Sequence, residues 1–283
     1  MLDASNIFTL LKSAEELLKS NNIPEPKTDA EVLLCDVFNI KRGRLLMLRD
    51  FIASEKQIND YSKYISERIT GKPVAYILGK TEFMCFDFIV NENVLIPRQE
   101  TEILVEEVLN QIKINKYKKI LDMCTGSGCI AISVAKNSDI SVTASDISNK
   151  AVEVAKENAG INEVTDKINF IVSDMFSNIS EQKFDIIISN PPYIAEKEFQ
   201  ELEKELSFEP RQALVAKEDG LFFYKQIAKN AKNYLNQNGL IIVELNANIP
   251  DTITGIFTDS GYKKIKIIKD YSGLNRVLVL TNG

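Results

Sequence analysis

Histidine is absent from the 283-residue sequence. That excludes a Ser-His-Asp or Cys-His relay and any metal centre built on imidazole, so proton handling falls to carboxylates, tyrosine, lysine or solvent. Cysteine is scarce: the four residues Cys35, Cys85, Cys124 and Cys129 show no CxxC spacing and lack the density of a disulfide scaffold. This usage fits thiols in a reducing compartment. No apolar run is long enough to span a bilayer, and the amino terminus carries polar residues at every turn where a signal peptide has an apolar block. A cytoplasmic location with no membrane contact is therefore expected. An excess of positive charge is also missing, since 34 Lys and Arg stand against 40 Asp and Glu, a balance of −6. Chains that wrap a nucleic-acid backbone are more often basic, because Lys and Arg neutralise phosphates. The clusters Lys116, Lys118, Lys119 and Lys263, Lys264, Lys266 read as solvated surface.

What is present is an ordinary globular composition, 45% hydrophobic and 26% charged, in a chain long enough for two domains. Up to about Pro73 the pattern is helical: Ile7, Leu10, Leu11, Ala14, Leu17 and Leu18 recur at three- and four-residue spacing, which lines one helix face. Pro24 and Pro26 end that helix. Thr28 with Glu31 reads as a capping box opening a second, and Ser54 with Gln57 repeats the signature before a third that closes at Gly71 and Pro73. Residues 1–73 are expected to form a small helical bundle. Strand-like "EFMCFDFIV", a polar "NEN" turn and "VLIP" then predict a β-hairpin linker over residues 74–97. From 98 to 283 strands alternate with helices. The strands are expected at 119–123, 141–145, 168–173, 185–189, 240–245, 265–268 and 277–280, with helices such as 150–159 and 220–236 between them. Alternation of this kind implies an α/β fold, a doubly wound, mostly parallel sheet whose ligands bind beyond the carboxyl ends of the strands.

Two segments carry chemistry. In "LDMCTGSGCIAI" a strand runs into Gly126 and Gly128, whose missing Cβ lets backbone approach a ligand. Gly126-x-Gly128-x-x-Ala131 satisfies the dinucleotide fingerprint, with Asp146 twenty residues on where a ribose-binding carboxylate belongs. Two carboxylates argue against NAD: Asp122, just ahead of the loop, suits a cationic amino-acid group better than a pyrophosphate, and Asp174, ending the third strand, is placed to accept from an adenine amine. Acidic groups at three successive strand ends suit S-adenosylmethionine, which carries an ammonium, a ribose, an adenine and a sulfonium but no phosphate. The second segment is "FDIIISNPPYIAE", a buried strand delivering Asn190, Pro191, Pro192 and Tyr193 to its own end. An amide nitrogen is a poor nucleophile because its lone pair is delocalised. The Asn190 side-chain oxygen and the Pro191 carbonyl can accept its two N–H bonds, Pro192 stiffens the loop, and Tyr193 offers a flat face for a planar group. No histidine is required.

"NPPY" with the glycine loop resembles class I methyltransferases acting on nitrogen attached to planar carbon. The blocks "YILGKTEF", "VLIPRQETEILVE", "LDMCTGSGCIAI", "SNPPYI", "FEPRQAL", "DGLFFYKQIAKNA" and "DYSGLNRVLVL", in this order almost end to end, resemble the bacterial release factor glutamine methyltransferases. The resemblance implies a seven-stranded catalytic domain over 98–283, S-adenosylmethionine as cofactor with S-adenosylhomocysteine as product, and methylation of the N5 nitrogen of the Gly-Gly-Gln glutamine in class I peptide-chain release factors, which modulates translation termination. It further implies that the loop of Cys124, Thr125, Gly126, Ser127 and Gly128 holds the methionine end, Asp146 the ribose, and Asp174 with Met175 the adenine, while Asn190 to Tyr193 hold the glutamine. The helical domain is expected to dock the body of the release factor. This chain departs from the family at Gln99, where a proline is usual, at Met175, where an aromatic is often found, and at Asn246, which can tolerate a left-handed backbone where the family commonly has glycine. Adenine-N6 methylation of DNA or RNA is the alternative chemistry at the same Asn190, and a catalytically idle adaptor the alternative of another class.

Overall fold

A computed structural model describes residues 6–200 and 204–283. The chain forms two compact units, one from the described residues up to Gly79 together with Lys204–Phe208, the other from Lys80 onward without those five residues.

The first unit is helical: α1 (Ile7–Ser20), α2 (Pro26–Phe38), a 3-10 segment (Arg42–Leu48), α3 (Glu55–Ile69) and α4 (Val74–Leu78). Ile7, Leu10, Ala14 and Leu18 of α1 are buried against Leu33, Leu34, Tyr61 and Ile65, as the helical spacing requires. The Ser54/Gln57 capping box is formed. The one expected at Thr28 and Glu31 is not: α2 starts at Pro26, so Thr28 lies within the first turn. Proline already has the φ of the first helical position and lacks only an N–H that would be unpaired there, which makes Pro26 a starter rather than a stop. Arg68 is almost fully buried; its Nε donates to Asp29 at 2.7 Å, and its guanidinium also pairs with Glu205.

The second unit opens with the hairpin β1 (Lys80–Phe83) and β2 (Phe86–Ile89), followed by α5 (Gln99–Asn115), β3 (Lys119–Met123), α6 (Cys129–Lys136), β4 (Ser141–Asp146), α7 (Asn149–Ile161), β5 (Ile168–Val172), β6 (Phe184–Ser189), the short β7 (Ile194–Ala195), α8 (Glu196–Phe199), α9 (Arg211–Leu214), β8 (Val215–Ala216), α10 (Phe222–Asn230), β9 (Leu235–Glu244), α11 (Pro250–Asp259), β10 (Lys263–Lys269) and β11 (Asn275–Thr281). Seven strands form one sheet in the order β10-β11-β9-β6-β3-β4-β5. All neighbours are parallel except β11, which is antiparallel to both β9 and β10. This is the doubly wound α/β sheet that the alternation implies. Along β6 the side chains alternate between two cores, Ile186 and Ile188 toward α5 and α6, Ile187 toward α10 and α11. Burial on both faces explains why this strand reads as a continuous apolar run.

Two expectations about these elements are corrected. The hairpin turns at Met84 and Cys85, both at positive φ (52° and 62°), not at "NEN", and "VLIP" is not a strand. Two consecutive left-handed residues match the type I′ geometry that twisted strands favour, but Met-Cys carries none of its usual Asn-Gly signal. The helix expected over 220–236 ends at Asn230, because Leu235 already pairs with Phe184 at the start of β9. Asn246 does not use the left-handed backbone it could tolerate; its side chain accepts from Asn248 N at 3.0 Å in a turn. Gln99, where the family usually has proline, is the first residue of α5, a position that either residue suits.

Candidate active site

The chain runs out from β3 to β4 and β5 and then returns to place β6 on the other side of β3, so the sheet's topological switch lies between β3 and β6. A cavity of about 370 Å³ opens at the carboxyl ends of these strands, lined in part by Cys124, Gly126, Asp146, Asp174, Met175, Asn190 and Pro192. Those seven sequence-predicted residues are brought together. Asp122, Thr125, Ser127, Gly128, Pro191 and Tyr193 lie outside its lining.

The two glycines divide the work. A Cβ on Gly128 would meet Ala155 Cβ and Ile132 Cδ1 at 3.0 Å, so this residue, at φ +81°, permits close packing of α6 on α7. A Cβ on Gly126 would meet nothing within 4 Å, and its backbone N–H donates to Asp146 Oδ2 at 2.9 Å. The other oxygen of Asp146 accepts from Ser148 N at 2.9 Å. Each carboxylate oxygen keeps a lone pair for a ligand hydroxyl. Burial raises the Asp146 pKa against those backbone hydrogen bonds. Cys124 and Met175, both facing the cavity, hold left-handed backbone at φ 60° and 48°, a cost that tertiary packing must sustain.

Asp122 is fully buried. Its Oδ2 accepts from Thr125 Oγ1 at 2.6 Å, its Oδ1 has no partner among the described residues, and burial pushes its pKa up to about 7 despite the Thr125 hydrogen bond. Fully buried and outside the cavity lining, Asp122 offers a ligand no open approach. The lining itself carries the carboxylates Asp146 and Asp174 against a single ammonium, Lys217, among the described residues. A pyrophosphate would meet repulsion there; a phosphate-free nucleoside bearing positive charge would not.

Behind the lining, Asn190 donates from Nδ2 to Thr101 Oγ1 at 3.2 Å, and Thr101 donates to Glu244 Oε2 at 2.6 Å. The Tyr193 hydroxyl donates to Glu244 Oε1 at 3.4 Å. Glu244 and Thr101 are each 2% exposed. Burial pushes Glu244 up to about 7, against the Thr101 hydrogen bond and the charge of Arg276. Pattern reading missed several residues of this region. Thr101 and Glu244 stand in ordinary helix and strand text, and nothing in the residue types marks their meeting. Asn158, fully buried, ties three segments together: it accepts from Ile89 N at 2.6 Å and donates to Ile89 O at 3.0 Å and to Ser127 O at 2.9 Å. Glu209 likewise accepts from Ile96 N at 3.0 Å and pairs with Arg98, clamping two lining segments. Phe222 and Phe223 add an apolar wall, although the sequence places them only within a helix.

Residues 99–224 match the Methyltransferase small domain family and residues 9–79 the PrmC N-terminal domain family. The crystal structure of a methyltransferase from Pyrococcus furiosus shares the fold, with a TM-score of 0.53 at 18% identity, covering 78% of this chain and 99% of that one. Sheet, crevice and domain match together define a methyltransferase of the doubly wound class. The bifunctional methyltransferase of Rickettsia conorii is 39% identical over 302 residues, covering 98% of this chain; the chain spans 58% of that relative's length. The release factor glutamine methyltransferase of Leptospira interrogans is 41% identical over 286 residues, covering 99% of this chain and 100% of that one. The chain belongs to the release factor glutamine methyltransferase family. None of its described helices is long and apolar enough to cross a membrane.

Proposed function

We propose that the chain transfers a methyl group from S-adenosylmethionine to the side-chain amide nitrogen of the glutamine in the Gly-Gly-Gln motif of class I peptide-chain release factors. The observation that carries the chemistry is Asn190: it lines the cavity, its NH2 group is held by Thr101, and its Oδ1 is engaged by no described group. The choice of substrate rests on the relatives, which match over almost the whole chain.

When bound, S-adenosylmethionine supplies an electrophilic methyl on a sulfonium. Asp146 would hold the ribose hydroxyls, the Cys124–Gly126 backbone the methionine portion, and Asp174 with Met175 the edge and one face of the adenine. Asn190 Oδ1 and the Pro191 carbonyl accept the two N–H bonds of the substrate amide, orient its nitrogen and stabilise the positive charge it acquires. After transfer that nitrogen is acidic, and its surplus proton leaves to solvent. The partner is a protein rather than a nucleic acid, and the helical unit docks its body.

The test is to incubate the protein with tritiated S-adenosylmethionine and a purified class I release factor, then map the label. Label on the Gly-Gly-Gln peptide supports the reading. No label there, under conditions in which a known release factor methyltransferase works, overturns it, and label on protein-free DNA or RNA would replace it with the adenine reading.

A further inference from the structure

Asn190 is productive in one of its two amide orientations. With Oδ1 toward the substrate it accepts an N–H; flipped, it would present NH2 against NH2 and orient nothing. Shape hardly distinguishes the two states, so something must read the difference between oxygen and nitrogen.

We infer that Thr101 and Glu244 are positioning residues that lock the side-chain amide of Asn190 with its oxygen toward the transfer cavity. The inference rests on the glutamine methyltransferase reading and deepens it. Its basis is proton counting along a buried chain. Glu244, closing β9, is a carboxylate with no proton to give when ionised, and it accepts from Thr101 Oγ1 at 2.6 Å. The single hydroxyl proton of Thr101 is thereby spent. Toward Asn190 the hydroxyl can only accept, and the group it meets at 3.2 Å is Nδ2. The polarity therefore runs from Glu244 through Thr101 to Asn190 and leaves Oδ1 facing the cavity. Three elements meet to build it: the first turn of α5, the end of β9 and the residue following β6. Tyr193, from the same loop as Asn190, donates to the other oxygen of Glu244 at 3.4 Å, so both carboxylate oxygens point at groups near the site.

The chain fails if Glu244 takes up a proton. A protonated carboxyl can donate to Thr101, whose own proton then turns toward Asn190 and competes with Nδ2. The charged or titratable groups that bear on Glu244 are Glu100 on α5, Arg276 on β11, Cys129 at the start of α6, Tyr193 and, on α10, Tyr224. The two carboxyls share a sign and Arg276 opposes them.

The test compares Thr101→Val, which keeps the shape and loses the hydroxyl, with Thr101→Ser, which keeps the hydroxyl. Thr101→Val should lower kcat on release factor about tenfold, leave the Kd for S-adenosylmethionine almost unchanged, and move the Asn190 side-chain NH2 resonance in the ligand-free protein; Thr101→Ser should restore both. Equal turnover and equal resonances in the two variants overturn the proposal. Should Thr101→Val fail to fold, the wild type decides. Its Asn190 NH2 resonance should shift between pH 8 and pH 6, and that shift should vanish in Glu244→Gln; a resonance indifferent to pH in the wild type, or a shift that survives in Glu244→Gln, overturns the lock. If the wild type methylates no release factor, the substrate reading fails, while the resonances still decide the orientation.

Discussion

On the proposed function Asn190 and Asp146, which both line the cavity, do different work, and single substitutions separate them. Asn190→Ala removes a hydrogen-bond acceptor for the reacting amide. Turnover should fall on the order of 10²-fold while calorimetric affinity for S-adenosylmethionine stays nearly constant. Asp146→Asn keeps the shape but loses a charge-assisted acceptor whose oxygens are already fixed by Gly126 and Ser148. Affinity for S-adenosylmethionine should weaken roughly tenfold or more, with turnover at saturation much less affected. Both residues were legible as letters, because each ends a strand beside a motif. Thr101 was not, since its importance lies in a partner 143 residues away along the chain, which spacing does not reveal.

At the scale of elements, the loop bearing Asn190 to Tyr193 is set by its neighbour before α10. Gly220 sits at φ +85°, and a Cβ there would come within 2.3 Å of the Tyr193 carbonyl oxygen. Gly220→Ala combines backbone strain with a collision against main chain. It should cost about 2 kcal/mol of stability in urea unfolding and depress turnover through the displaced loop. In the helical unit, Arg68→Ala would leave Asp29 buried without its partner, a loss of about 3 kcal/mol measurable by the same unfolding curve. The lysines of β10 also find their explanation here. Lys263 and Lys264 are exposed on the edge strand of the sheet, and Lys266 pairs with Glu107 at 2.9 Å. Charges on an open edge discourage pairing with another copy. Light scattering should show Lys263→Ile combined with Lys264→Ile aggregating at concentrations where the wild type remains dispersed.

For the whole molecule, the buried carboxyls tie stability to pH in a direction opposite to the usual acid denaturation. Burial raises Glu244 from its ordinary 4.5 to about 7, so between those values the native state holds a proton that the unfolded chain has released. Stability from this residue is present below pH 4.5 and lost as pH rises toward 7, at about 1.4 kcal/mol for each unit of raised pKa. Glutamine cannot ionise. Measured against the wild type, Glu244→Gln should therefore gain stability as pH rises from 4.5 to 7, even though the ionised carboxylate is the form that holds Thr101 in its accepting role. A wild type and variant whose melting temperatures keep a constant difference across this range would show that Glu244 ionises freely.

By itself the sequence determined the alternation of strand and helix, the two-sided burial of the central strand, the glycine loop and the Asn-Pro-Pro-Tyr terminus. Each of these is a local matter of periodicity or of backbones that only certain residues adopt. Only the tertiary structure decided where the hairpin turned, since Met84 and Cys85 accept left-handed backbone without advertising it. It alone brought Glu244, Thr101 and Asn190 into one hydrogen-bonded line. Direction in such a line is set by which atom holds the single shared proton, and that depends on three strand and helix ends meeting in space rather than on any neighbour in the chain.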